Sequence, residues 1–152
     1  ALPISLDASG RRLDADGLFE NRAALRALIA REQARGIPAR RILIAGFSQG
    51  GAIAYTAGLT HPERLAGIVA LSTYIPAPEL LEPARLAANG NTPIFAGHGS
   101  MDPVVPVQLG RAAHDLVAAA GHPVSWNTYP MQHSVCLPEI VAIGEFIEKN
   151  FS

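Results

Sequence analysis

The stretch Arg40-Arg41-Ile42-Leu43-Ile44-Ala45-Gly46-Phe47-Ser48-Gln49-Gly50-Gly51 constrains the fold more tightly than any other part of the chain. Ile42 to Ala45 is an unbroken apolar run of β-branched and aliphatic residues, without the alternation of a half-exposed strand. Such a run predicts a parallel strand covered on both faces, and therefore a sheet lying between helices. Gly46, Ser48 and Gly50 follow at once. In a G-x-S-x-G turn the chain passes directly from strand to helix, and the glycines let neighbouring backbone crowd past without a Cβ. Gly51-Ala52-Ile53-Ala54-Tyr55-Thr56-Ala57 supplies the small-residue helix that this turn demands. Ser48 therefore reads as a nucleophile held clear of the backbone, against the plainer reading of a serine that caps a helix.

Helix and strand alternate through the rest of the chain. Leu18, Leu25, Leu28 and Ile29 fall on one face of a helix predicted from about Asp16 to Arg35, with Glu20, Arg22, Arg26, Arg31 and Glu32 on a solvated face. Asp14 or Asp16 caps its start, Gly36 closes it, and Ala1 to Asp14 reads as an irregular lead-in. Leu65 to Ser72 is a second buried strand, and Thr73 to Pro78 leaves its carboxyl end. Glu79 to Ala88 reads as a helix ending in the turn Asn89-Gly90-Asn91. Pro93 to Gly99 is a third strand, Val107 to Ala120 a helix stopped by Gly121, Pro123 to Tyr129 a fourth strand near a sheet edge, and Pro138 to Phe151 a last amphipathic helix. This order predicts one α/β domain over residues 1–152, a mostly parallel sheet with helices on both faces and right-handed crossovers.

Charge and apolar content narrow the function classes. With 12 Lys and Arg against 13 Asp and Glu, the net charge of −1 favours neither nucleic acid nor an anionic membrane as partner. Every apolar run is broken before the roughly 18 residues of a membrane span, so no stable membrane insertion is expected. Cys136 is the single cysteine, which forbids an intrachain disulfide and fits a cytoplasmic location. The sequence opens on Ala1 rather than Met, which leaves room for an upstream segment.

A serine hydroxyl becomes a useful nucleophile only when a base takes its proton and an acid holds that base in the right tautomer. In sheets of this kind the three groups come in the order serine, acid, histidine, each beyond the carboxyl end of a different strand. Here the order is Ser48, Asp102 after the third strand and His133 after the fourth. Asp115 and His114 lie within a helix, Asp7, Asp14 and Asp16 precede the first strand, His61 sits in a turn, and His122 lies at the wrong end of a strand. His98 is close enough to matter, as a histidine hydrogen-bonded to hold the Asp102 loop. The plainer alternatives are a turn-forming Asp102 before Pro103 and a helix-flanking His133. The backbone N–H of Gln49, next after the nucleophile, is the candidate oxyanion donor. Cys136 reads as a buried structural thiol. The scattered histidines show no metal-ligand spacing, and neither a metal nor an organic cofactor is expected.

Gly46-Phe47-Ser48-Gln49-Gly50-Gly51-Ala52, Leu71-Ser72-Thr73-Tyr74, His98-Gly99 with Asp102 and Val104-Val105-Pro106, and Tyr129-Pro130-Met131 with His133 together resemble the phospholipase/carboxylesterase family of α/β-hydrolases. The resemblance implies hydrolysis of carboxylic esters of short or medium acyl chains through an acyl-serine intermediate, with Ser48, Asp102 and His133 as triad. Acyl-protein thioesterase or lysophospholipase activity is the nearest alternative. It also implies an apolar acyl groove, for which Tyr74, Ile75, Val105 and Met131 are the matching positions, and a small-molecule ester or acyl thioester as substrate. A member of the family carries further strands upstream, with a loop that supplies a second oxyanion N–H. Without them the domain lacks its N-terminal strands, and the Ile42 strand falls at a sheet edge with one row of backbone groups unpaired. A fragment of a longer chain, a separate chain that supplies the missing strands, and a truncated domain each answer that expectation; a homodimer is a separate partner expectation. A non-catalytic interaction module is the alternative of another class.

Overall fold

Strands β1 (Leu43–Phe47), β2 (Gly67–Leu71), β3 (Ile94–Gly99) and β4 (Val124–Tyr129) form one parallel sheet in the order β1-β2-β3-β4. The structure, a computed structural model, describes residues 15–82 and 87–151. The register sets Phe47 beside Leu71, Leu71 beside Gly97 and Gly97 beside Asn127, so the carboxyl ends of all four strands lie along one edge. Helices α1 (Ala15–Ala34), α2 (Gln49–Thr60), α3 (Val107–Ala119) and α4 (Leu137–Phe151) supply the crossovers and the last element. The lead-in and its capping Asp14 lie outside the described residues, as does the Leu18 side chain.

Burial explains the sequence pattern strand by strand. All residues of β2 and β3 are buried, which is why both read as continuous apolar runs. Ile29 of α1, Ile44, Ala54, Tyr55 and Leu59 of α2, Ile68 and Ala70, Ile94, and Ala113 and Val117 of α3 pack on one face. Val69, Leu71 and Phe95 turn to the other, against Ala142, Ile143 and Phe146 of α4. The Phe95 and Phe146 rings meet edge to face, 5.9 Å between centroids. α2 is apolar all round because the sheet, α1 and the loop after β2 leave it almost no free face.

Four expectations change. The Ile42 to Ala45 run predicts a β1 covered on both faces, yet Ala45 and Phe47 are exposed, because among the described residues β1 has β2 as its only neighbour. Leu28 is exposed on α1, with Ile29 carrying the packing instead. Arg26 is not simply solvated: its guanidinium donates to the carbonyl and hydroxyl of Thr60, pinning α1 to the end of α2. The helix read over 79–88 is a short 3-10 turn, Pro78–Leu81, and residues 83–86 lie outside the described residues. Glu82 has ψ 134, the extended backbone that a following Pro83 imposes.

Two buried polar side chains join these elements. Asn89, read only as part of a turn, is fully buried and uses its whole amide. Its Nδ2 donates to the carbonyls of His61 and Glu63, and its Oδ1 accepts from Leu65 N and the Thr92 hydroxyl. It thus ties the loop after α2 to the entry of β3.

Glu139, in the first turn of α4, is the opposite case. It is fully buried against the Cα of Gly97, where a Cβ would collide with its carboxyl, and neither oxygen has a hydrogen-bond partner among the described residues. Burial pushes its pKa up from 4.5 to about 7. The folded chain therefore holds a proton that the unfolded chain releases at lower pH, so this group weakens the fold as pH rises from about 4.5 to about 7 and by a constant amount above. Glu139→Gln should stabilise the protein by about 3 kcal/mol at pH 8 and change little at pH 4, read by urea unfolding at both values. An equal effect at the two pH values would show that the carboxyl does not titrate there.

Candidate active site

Ser48 stands between β1 and α2 with φ 56 and ψ −119, a left-handed conformation that a non-glycine residue keeps only when its surroundings enforce it. Its amide donates to Leu71 O at 2.8 Å, and its carbonyl accepts from Gly51 N, Ala52 N and the Thr73 hydroxyl, the last at 2.6 Å. The hydroxyl makes no capping hydrogen bond to α2. It lies instead 3.0 Å from His133 Nε2, so the helix-capping reading of Ser48 does not describe its side chain.

Asp102 occupies the loop between β3 and α3 with its carboxylate withdrawn from solvent. Oδ1 accepts from the amides of Val104 and Val105 at 2.8 and 2.9 Å, which is the turn-forming role expected before Pro103. Oδ2 accepts from His133 Nδ1 at 2.7 Å. One oxygen shapes the loop while the other addresses the imidazole. With a carboxylate on Nδ1, that nitrogen carries the hydrogen, and Nε2 is left to accept from the Ser48 hydroxyl. This relay can draw a proton from Ser48 to His133 while the ionised Asp102 stabilises the resulting imidazolium.

The sheet hangs these groups from a staircase of backbone bonds. Ser48, Ser72 and Ser100 follow β1, β2 and β3, and their amides donate to Leu71 O, Gly97 O and Tyr129 O respectively. Ser72 has φ 51, so two successive strands end in a left-handed serine. The Phe47 ring lies 4.7 Å from that of His133, centroid to centroid, and walls the base on the β1 side.

The residues matched to an acyl groove are placed differently. Tyr74 and Val105 are buried with Ala52 and Leu109, and Ile75 is buried in the main core. Burial also pushes the Tyr74 hydroxyl pKa up to about 12. Met131 alone of the four is partly open. The apolar side chains exposed around the relay are Phe47, Met101, Val104 and Val135, each within three residues of Ser48, Asp102 or His133 in the chain. Cys136 is half-buried rather than buried. Gln49 opens α2, its backbone amide directly after the nucleophile. Thr73 and Phe47 were missed in the sequence. Their signals were slight: Thr73 follows a strand at the loop-bearing edge, and Phe47 is a large ring beside the serine.

His61 and His122 lie buried at the far edge of the sheet, with His122 Nδ1 on Thr92 O, and His114 pairs with Asp115 on α3. Among the described residues no three His, Cys, Asp or Glu side chains are grouped so as to hold a metal ion.

The chain matches the phospholipase/carboxylesterase family over residues 4–151. It is 42% identical to acyl-protein thioesterase 1 of Neurospora crassa, covering 99% of this chain and 62% of that protein. It is 36% identical to acyl-protein thioesterase 1 of Saccharomyces cerevisiae, covering 98% of this chain and 67% of that one. The chain thus spans about two thirds of the length of these relatives. Among solved structures, SOBER1 of Arabidopsis thaliana superposes with a TM-score of 0.87 at 25% identity, over 99% of this chain and 71% of its own.

Gly46 is a tight steric constraint on the Ser48 turn, since a Cβ there would strike the carbonyl of Gly50 at the start of α2. Gly46→Ala should cost about 2 kcal/mol in urea unfolding, because the helix must shift to admit the methyl group. Unchanged stability would mean that the start of α2 gives way freely and does not hold the Ser48 turn.

Proposed function

The chain belongs to the phospholipase/carboxylesterase family, and on that premise we propose that it hydrolyses acyl thioesters and carboxylic esters through an acyl-serine intermediate on Ser48. The observation that carries this reading is the unbroken relay from Ser48 Oγ through His133 to a desolvated Asp102. His133 takes the Ser48 proton as Oγ attacks the acyl carbon, then returns it to the departing thiol or alcohol. Water enters by the same route in reverse to release the acid. The Gln49 amide stabilises the oxyanion at the opening of α2, where the helix dipole favours negative charge.

Names of relatives shift the emphasis from esters towards thioesters, since two of them at 36–42% identity are acyl-protein thioesterases. The exposed Phe47, Met101, Val104 and Val135 are proposed to meet the acyl chain, in place of the buried Tyr74, Ile75 and Val105. Among the described residues no helix is long and apolar enough to cross a membrane, and a cytoplasmic setting belongs to the same proposal.

The open edge of β1 is proposed to receive the strands that answer to the remaining third of the relatives' length, in the same polypeptide or another. A groove of about 260 Å³ between α1 and β1, lined by Leu25, Leu28, Ile42 and Leu43, supports this, as does the exposure of Ala45 and Phe47. A second oxyanion donor would come with them.

A fluorophosphonate probe should form an adduct at Ser48, located by peptide mass spectrometry, and a protein that stays unlabelled would favour the non-catalytic reading. Ser48→Ala should abolish turnover with the fold intact. Asp102→Asn should lower the rate by about 10⁴-fold, and wild-type turnover in that variant would show that another residue serves as the acid. A chain-length series of p-nitrophenyl esters beside the matching acyl thioesters should favour the thioesters in kcat/KM.

A further inference from the structure

We propose that His98 is a positioning residue for Asp102, fastening the loop that carries the acid through a ring N–H donated to Val105 O, with the ring set against the Asp102 carboxylate; the inference rests on the hydrolase reading above. His98 is buried near the end of β3, and its Nε2 lies 2.8 Å from Val105 O and 3.6 Å from Asp102 Oδ2. A backbone carbonyl only accepts, so Nε2 carries the hydrogen and donates to Val105 O, while the carboxylate oxygen lies beside the ring outside hydrogen-bond distance. Asp102 Oδ2 thus faces two imidazoles, His133 Nδ1 at 2.7 Å and His98 Nε2 at 3.6 Å, and both lie on the side away from the Val104 and Val105 amides.

The surroundings of the ring fix it in that pose. Gly110 of α3 lies so close that a Cβ there would overlap His98 Nδ1. On the β4 side Trp126 stands 6.2 Å away, centroid to centroid. The ring can neither swing towards α3 nor flip outward without displacing one of these walls. Burial holds the His98 pKa below the usual imidazole value; the Val105 carbonyl and the Asp102 charge oppose it more weakly, and the His133 charge acts in the same direction as burial. A neutral His98 suits the task. A second imidazolium would compete with His133 for the Asp102 charge, whereas a neutral ring orients the carboxylate and leaves that charge to the base.

Donation and packing predict opposite rankings of two variants. His98→Phe keeps the ring volume and loses the donor, while His98→Gln carries an N–H to about the reach of Nε2 but fills the space less well. If His98 positions Asp102, His98→Phe loses about 10²-fold in kcat with KM within a factor of two, and His98→Gln recovers most of it. If the ring only packs, His98→Phe stays near wild type and His98→Gln is the poorer enzyme, which overturns the proposal.

A measurement on the wild-type protein stands independently of whether either variant folds. Nitrogen-15 NMR of labelled histidine should show His98 neutral at pH 7, with its hydrogen on Nε2. A hydrogen on Nδ1, or protonation of both nitrogens at pH 7, contradicts the assignment. Fluorophosphonate labelling separates this inference from the one beneath it. An unlabelled wild-type protein sinks the hydrolase reading, while a labelled wild type with an equally fast His98→Phe sinks the positioning role alone.

Discussion

A carboxylate taken out of water has to be met by donors, and much of the loop-bearing edge of this sheet is arranged to meet the one on Asp102. Two amides of its own loop satisfy Oδ1, which closes the turn after β3 and sets the direction in which α3 departs. Oδ2 is then left pointing towards β4, and the first donor in its path is Nδ1 of His133. That contact selects the tautomer of the base, and the tautomer decides that the Ser48 hydroxyl donates rather than accepts. A chain of polarity runs from one buried charge to an oxygen two strands away in the sheet. Leaving such a charge unmet would cost several kcal/mol, so the geometry of the base is enforced by solvation as much as by sterics.

The other demand on this edge is conformational. Ser48 occupies a backbone region that an L-residue avoids, and the strain is offset by the four hydrogen bonds to its own amide and carbonyl. Since Leu71 O and the Thr73 hydroxyl belong to β2 and the segment after it, the nucleophile is fixed by the neighbouring strand rather than by its own. The same holds one step along, where Ser72 leans on Gly97. Glycines at 46 and 97 leave room for the Gly50 carbonyl and the Glu139 carboxyl to approach the sheet closely.

Local signals carried the reading of the fold a long way. Four strands, the serine turn and the order serine, acid, histidine were visible because each depends on residues close together in the chain: an apolar run, a glycine pair, a helix stopped at Gly36 or Gly121. What escaped depends on which elements meet. Tyr74, Ile75 and Val105 follow strands at the ligand-bearing edge, yet α2 and α3 fold over them, and nothing in the local sequence fixes how far a helix leans. Leu28 and Ile29 are adjacent apolar residues on one helix, and only the direction of approach of α2 decides which of them is buried. Glu139 opens an amphipathic helix, and its burial follows from the missing side chain at Gly97, some forty residues earlier. Pro83 is a local signal against a helix over 79–88, because the residue before a proline is pushed to extended backbone.

The three side chains of the relay are not equally anchored. Asp102 and His133 leave β3 and β4, which pair over six positions and share the loop contact between Met101 N and Met131 O. Ser48 leaves β1, a strand of five residues bonded, among the described residues, along one side. Where the other side stays uncovered, β1 is an edge strand, which opens at a lower free energy than the whole domain. When it opens, Ser48 departs while Asp102 and His133 stay paired with each other. The serine contact is then a more fragile property of these residues than foldedness: solvent reaches the outer amides of β1, and the hydroxyl drifts from the imidazole, while most of the molecule still looks native by any bulk optical signal.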